Sequence, residues 1–299
     1  MVTVKKRLPL VLTLVAAVAT GTFAGAFLNS PQPSFWAQLR YGASVSDGEY
    51  LFDSVADIVP GAPDSGAFKA AGALVQGAVV DIEPGIAYAS DDGESGSRVV
   101  AYDSEEAAMR YASLVVRVDK VLAGRLGQGY ADGRIRIRVE QPATTTLAEL
   151  KESVGSAGTG LMFVHNLAER QQLLGRPVTD PAQLAYARSV HTPIGEGLFV
   201  EESAGSPVVA PLMDGQRAAQ LLGYTFVSED DEAEPSPTPA CDDLDPCYTP
   251  TGKPSATATS VPVGGAEPAS TTPPSLTALR STLVAAACAE GTAADSSSC

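Results

Sequence analysis

The chain carries two imidazoles, His165 and His191. A histidine held between a carboxylate and a serine or threonine hydroxyl would be the general base of a hydrolase. His165 closes the apolar run Gly160-Leu-Met-Phe-Val164, and His191 precedes Thr192-Pro193. The plainer expectation is therefore a packing histidine at a strand end and a solvated histidine in a loop. No Gly-x-Ser-x-Gly elbow occurs, and no cysteine precedes Cys241, so the body offers no recognisable nucleophile.

Arg134, Arg136 and Arg138 alternate with Ile135, Ile137 and Val139. Period two puts the three guanidiniums on one face of a strand, where they could meet an anionic wall polymer. The same row also suits the wet face of an edge strand, protected by charge against aggregation. Asp91, Asp92 and Glu94 form one acidic cluster, and Asp242, Asp243 and Asp245 another. Neither has the spacing of an established calcium loop, and the expectation is solvated turns with no metal. Gly155-Ser-Ala-Gly-Thr-Gly160 lies between a helical and an apolar pattern and lacks a lysine. A phosphate loop needs the opposite order, so this is an ordinary loop and no cofactor is expected.

All four cysteines, Cys241, Cys247, Cys288 and Cys299, lie near the C-terminus. They allow three pairings, and Cys299, as the last residue, could bond to a second chain. Cys241 and Cys247 could close the short loop Cys-Asp-Asp-Leu-Asp-Pro-Cys in an oxidising compartment.

These groups follow an N-terminus that reads as an export address. Lys5, Lys6 and Arg7 precede a run without charge from Leu8 to Leu28. A basic flank stays cytoplasmic, so the chain beyond the run is expected to be secreted or anchored outside the cytoplasm. Thr20-Gly21-Thr22 followed by Ala24-Gly25-Ala26 is the pattern of a cleavable signal peptide. A single uncleaved transmembrane helix over Leu8 to Leu28 is the other reading, since about 20 apolar residues span a bilayer. Phe35-Trp36 would suit a membrane interface in that case, and an ordinary core otherwise.

The formal net charge is −15. From Glu229 onward there are eleven acidic residues against Lys253 and Arg280. Such a chain lacks the basic footprint that nucleic acid requires, and nucleic acid is excluded as a partner.

The pattern divides the chain into a leader at 1–30, a linker at 31–45, a folded domain at 46–228 and a tail at 229–299. Ser46-Asp47-Gly48-Glu49 is a capping-box pattern before a helix over 51–59, which Pro60-Gly61 would stop. Leu74 to Ile82 reads as a strand with a bulge or close approach at Gly77, turned by Pro84-Gly85. Residues 90–97 form a hairpin-like loop before a short strand at 98–102. Further strands are expected at 113–122, 134–140 and 160–165, with helices at 145–154, 181–188 and 215–223. A closing hairpin joins 198–201 to 208–212. From Glu229 the composition turns to Pro, Ser, Thr and acid, which cannot bury enough apolar surface to order itself. A helix over 275–289 would be marginal on its own. The fold class is thus mainly β, a five- to six-stranded barrel with short peripheral helices, an N-terminal hydrophobic helix and a disordered tail.

The succession Leu74-Val-Gln-Gly-Ala-Val-Val-Asp-Ile82, Leu114-Val-Val-Arg-Val-Asp-Lys-Val-Leu-Ala-Gly124, Arg134 to Val139, Gly160 to Val164 and Gly195-Glu-Gly-Leu-Phe-Val200 resembles exported bacterial proteins with an OB-like barrel of netrin-module type. The likeness spans residues 46–213, but the body lacks the cysteines of the netrin pattern. It implies a fold and a compartment rather than an activity. The expectation is a non-enzymatic cell-envelope protein that binds a protein or a wall component. A secreted hydrolase using His165 or His191 is the alternative.

Overall fold

The longest strands are built from the longest runs of apolar and β-branched residues. A computed structural model of the protein describes residues 34–40, 52–61, 71–90, 98–226 and 270–299. β1 (Ala73–Ala89) and β3 (Ala107–Gly124) run antiparallel over almost their whole length, with β2 (Arg98–Val100) on the outer edge of β1. β4 (Arg134–Glu140) pairs antiparallel with β3. β6 (His191–Glu201) meets β4 in parallel through the pair Ile137 and His191. β5 (Thr159–Asn166) lies antiparallel to β6 on one side and to β1 on the other. The result is a six-stranded mixed sheet with order β2-β1-β3-β4-β6-β5 and a further pairing that returns from β5 to β1.

Alternation sets the two faces. In β4 every apolar residue is buried, while Arg134 and Arg136 are exposed and Arg138 is half-buried. Ala112, Leu114 and Val116 lie opposite Val139, Ile137 and Ile135, and these residues share one core with Val75, Ile82, Met162, Val164 and Leu198. Two short helices add to that core. α1 (Phe35–Arg40) inserts Phe35, Trp36 and Leu39, and α2 (Leu147–Ser153) inserts Leu150. Thr146 and Glu149 form a capping box on α2. The Trp36 indole donates to the Ala157 carbonyl at 2.8 Å, so Trp36 is a packing residue and residues 35–40 are no linker.

A second core forms where β1, β5 and β6 turn outward-facing residues toward helices. Leu74, Leu161, Phe163, Ile194 and Phe199 pack there against Ile58, Leu221, Leu279 and Leu283. The contributing helices are α5 (Gly215–Leu222) and α6 (Leu276–Ala289). Between β5 and β6 lie α3 (Leu167–Leu173) and α4 (Pro181–Ser189).

Several expectations need correction. The strand through Leu74 does not turn at Pro84-Gly85. It continues to Ala89 with a register shift between Pro84 and Ile86, because a Cβ on Gly85 would sit 2.2 Å from the Tyr111 carbonyl oxygen. Only the absence of a side chain lets β3 pass that closely. Gly77 does mark a register shift and a close approach, with the Arg117 carbonyl 2.3 Å from where its Cβ would stand. The helix expected over 51–59 is a single 3-10 turn, Val55–Ile58, where the Asp57 carboxylate accepts from the Ser54 amide at 2.8 Å. The hairpin expected to close the domain is one bridge, Val200 to Val209, attached to a much longer β6. The largest correction concerns the C-terminus, because residues 270–299 are not a disordered tail. α6 buries Leu276, Leu279, Leu283 and Ala287 on the body. An amphipathic helix too short to stand alone is held by tertiary packing. The segment before it lies against the residues that follow α5, since the Thr225 amide donates to the Ser270 carbonyl at 2.8 Å.

The apolar run Leu8 to Leu28, the Ser46–Glu49 pattern, the acidic cluster at Asp91, Asp92 and Glu94, and Cys241 and Cys247 with their acidic loop lie outside the described residues. Among the described residues no helix is long and apolar enough to cross a membrane.

Candidate binding face

The arginine row and three tyrosines from distant parts of the chain form one surface. On the face away from the first core, β3 and β4 pair Tyr111 with Glu140, the buried Ser113 with Arg138, the buried Val115 with Arg136 and Arg117 with Arg134. The Arg138 guanidinium lies over the Tyr111 ring, 4.4 Å from its centroid. Tyr88, reaching across from β1, meets Tyr111 edge to face at 6.2 Å. Tyr186 arrives from α4, and its hydroxyl would lie 2.8 Å from a Cβ at Gly85, with the Ser113 hydroxyl 3.2 Å from the same point. Pro181 at the first helical position and the Asp180 cap set the start of α4 and so the level of Tyr186.

Each arginine has a different electrostatic setting. Arg136 is paired with Glu83 on β1 at 2.8 Å. Arg117 is paired with Asp119 at 3.0 Å and stands directly opposite Arg134. Arg138 is set over a ring, that of Tyr111, rather than in one of the ion pairs that hold Arg136 and Arg117. The row was expected to fit an edge strand, but β4 is flanked by β3 and, at Ile137, by β6. Its charges cover a sheet face rather than guarding a free edge.

Burial raises the pKa of all three phenols around this face that show a shift. Tyr186 is pushed up to about 12 by desolvation, against the opposing pull of Ser113 and Arg138. The Ser113 hydroxyl is close enough to favour the phenolate, but the Tyr186 hydroxyl makes no hydrogen bond of ordinary geometry. Tyr88 is raised by burial and drawn back by Arg138. Tyr102 is pushed up to about 12 by burial; its hydroxyl bonds the Gln141 amide oxygen. Arg110 ties the adjoining loop together by donating to the carbonyls of Tyr102 at 2.8 Å, Ser104 at 2.8 Å and Ala107 at 3.2 Å. All these phenols stay protonated near neutral pH, so the face sets neutral aromatic rings beside guanidinium charge.

The histidines lie elsewhere. Asn166 pairs with His191 and His165 with Thr192 on adjacent strands β5 and β6. His165 is half-buried, and its Nδ1 lies 3.2 Å from the Asn166 carbonyl oxygen. Burial lowers its pKa. His191 is not a solvated loop residue, being 1 % exposed at the start of β6. Burial pushes its pKa down to about 4; the Arg136 main chain beside it favours the charged form. Even so, neither ring nitrogen makes a hydrogen bond of good geometry. Neither imidazole is hydrogen-bonded to a carboxylate or a hydroxyl among the described residues. Among those residues no three potential ligands gather into a metal site.

One structural residue escaped the sequence reading. Asn166, 2 % exposed, caps α3 by accepting from the amides of Ala168 and Glu169. Its amide nitrogen lies within 3.0 to 3.2 Å of the carbonyls of Gln128, Arg188 and Val190, so it ties the β3–β4 connection to the end of α4. An asparagine between an apolar strand and Leu-Ala-Glu is a legible N-cap signal. Of the three cysteine pairings left open, the structure contains Cys288–Cys299, with Cα atoms 5.6 Å apart. It is intramolecular, so Cys299 is not the link to a second chain. No protein-family model, no curated protein and no solved structure matches this chain.

Proposed function

We propose that the protein is an exported, non-enzymatic module of the cell envelope that binds a partner through the outer face of β3 and β4. The reading treats the sheet as an OB-like barrel. Support comes from the pairing that returns from β5 to β1, the single parallel pair between β4 and β6, and α2 between β4 and β5. OB-type barrels bind ligands on their second and third strands and on the two loops beside them. The corresponding positions here are β3 with Arg110 near its start, β4, the connection before β3 that holds Tyr102, and the β5–β6 connection, whose α4 holds Tyr186.

The observation that carries the reading is the Arg138–Tyr111 stack with Tyr88 against it. A cation held on an aromatic face suits an anionic or glycosidic surface, such as a wall polymer or an acidic patch of an envelope protein. The charge and the rings act together, so binding should weaken with added salt without vanishing.

Co-sedimentation of the purified domain with isolated envelope material tests it. Wild type should pellet with the envelope, and Arg138→Ala with Tyr111→Ala should stay in solution while keeping the same unfolding midpoint within about 1–2 kcal/mol. Equal pelleting of both proteins would end this reading. Intact mass from secreted and membrane fractions tests export separately, since it reports whether Leu8 to Leu28 has been removed.

A further inference from the structure

We propose that the Cys288–Cys299 disulfide is a redox latch that holds the C-terminal strip over the free edge of β3, and that reduction uncovers this edge for strand addition. The inference stands on the backbone around β3 and is independent of what the β3–β4 face binds.

β3 pairs with β4 only from Tyr111 to Arg117, with one more bond from the Val118 amide to the Gly133 carbonyl at 2.8 Å. Past that point β3 continues to Gly124, and β4 no longer flanks it. The strip after α6 takes its place. The Ala294 amide donates to the Leu122 carbonyl and the Gly124 amide to the Thr292 carbonyl, both at 3.0 Å, and Ala123 bridges Ala293 in antiparallel register. An unpaired row of amides and carbonyls is a template for another chain, so covering it matters.

The start of the strip also turns back on α6, the Thr292 and Ala293 amides donating to the Ala287 carbonyl at 2.9 and 3.2 Å, but past Ala294 no backbone bond reaches the body among the described residues. No residue from Glu290 to Cys299 is buried. The one ion pair to the body, Lys120 with Asp295 at 3.9 Å, joins two exposed side chains and contributes little. Two bonds to β3 and two to the Ala287 carbonyl, all within Thr292–Ala294, stand against the ordering of ten residues, and the last five have only the disulfide and that ion pair to fix them. Cys288 belongs to α6, which is anchored by Leu276, Leu279, Leu283 and Ala287. Bonding Cys299 back to that anchored helix closes the strip into a loop and removes most of its freedom. A groove of about 630 Å3 lies between strip and body, lined by Lys120, Leu122, Arg280, Val284, Asp295 and the disulfide.

The segment that fits the uncovered edge is extended, antiparallel and small in its side chains. Thr292 already occupies the space above Gly61, where a Cβ would lie 2.4 Å from its methyl group, and Ala293 faces Ala123. The opening step is thiol–disulfide exchange. A dithiol reductant supplies two electrons and two protons, the Sγ–Sγ bond breaks, Cys288 and Cys299 become thiols, and the reductant closes its own disulfide.

Amide hydrogen exchange resolved by residue tests the latch on the full chain. Reduction should speed exchange at Gly124 and Ala294 on the order of a hundredfold, the factor expected when a loop of about this size is opened. Val118 on the same strand and Val200, which donates to the Val209 carbonyl, should keep their rates. The C288S/C299S variant should show the same acceleration without reductant, which assigns the effect to this bond rather than to Cys241 and Cys247. Unchanged rates at Gly124 and Ala294 in the variant would overturn the proposal. Equal acceleration at Val118 and Val200 would overturn it as well, because the bond would then hold the whole domain rather than the strip.

Discussion

The guanidinium of Arg138 stacks on the ring of Tyr111 at 4.4 Å across two neighbouring strands. The two residues are diagonal in register, since Arg138 lies opposite Ser113 and Tyr111 opposite Glu140. Diagonal neighbours on one sheet face remain within reach of long and aromatic side chains. A double-mutant cycle on Arg138→Ala and Tyr111→Ala, read by chemical denaturation, should give a coupling of about 0.5–1 kcal/mol. A coupling of zero would mean that the contact is incidental.

Gly85 carries a steric prediction. Its missing side chain leaves room for the Tyr111 carbonyl and the Tyr186 hydroxyl. Gly85→Ala should destabilise the domain by roughly 1–3 kcal/mol, the usual range for overpacking. Near-ultraviolet circular dichroism should change with it, because Tyr186, Tyr111 and Tyr88 are displaced together. A substitution with neither effect would show that β1 and β3 can separate there at no cost.

His191 predicts an acid-side loss of stability. Its folded pKa is held near 4 by burial, against 6.5 for the unperturbed group. Between these values the unfolded chain binds a proton that the folded chain does not. Stability is therefore complete above about pH 6.5 and falls as the pH drops toward 4. The most this residue can remove is about 3 kcal/mol, at 1.36 kcal/mol per unit of pKa. His165, also lowered by burial, adds a smaller loss of the same sign. Denaturant midpoints measured from pH 7.5 to pH 4 should show the slope, and His191→Phe should flatten it.

α6 makes a prediction about cooperativity. Leu283 is fully buried among residues of β5, β6 and the 3-10 turn. Leu283→Ala should cost about 2–5 kcal/mol. The loss should appear as a shift of the single unfolding transition of the domain, monitored by Trp36 fluorescence. If α6 melted by itself, that transition would stay in place.

Much of the sheet was legible because its signals are local. The arginine–isoleucine alternation of β4 gave both its bounds and its buried face. α4 and α5 each begin at an aspartate whose side chain accepts from an amide of the first turn, as the sequence pattern suggests. Pro84-Gly85 misled because the same dipeptide serves a turn or a close backbone approach, and only the facing strand decides between them. α6 misled for a related reason. Its leucine spacing is visible, but the groove that receives it is made by Ile58, Phe163 and Phe199, far away in sequence. The candidate site was half legible. A period-two arginine row announces itself, whereas Tyr88, Tyr111 and Tyr186 are brought together by register between strands and by the placement of one helix. No spacing along the chain encodes that.

The bond from Thr225 to Ser270 brings two positions distant in sequence to one place on the body. The entropy of closing a loop grows slowly, by about 0.6 kcal/mol for each doubling of its length. The footing of α6 is therefore nearly indifferent to how many residues separate those two positions, and insertions between them should leave its packing unchanged.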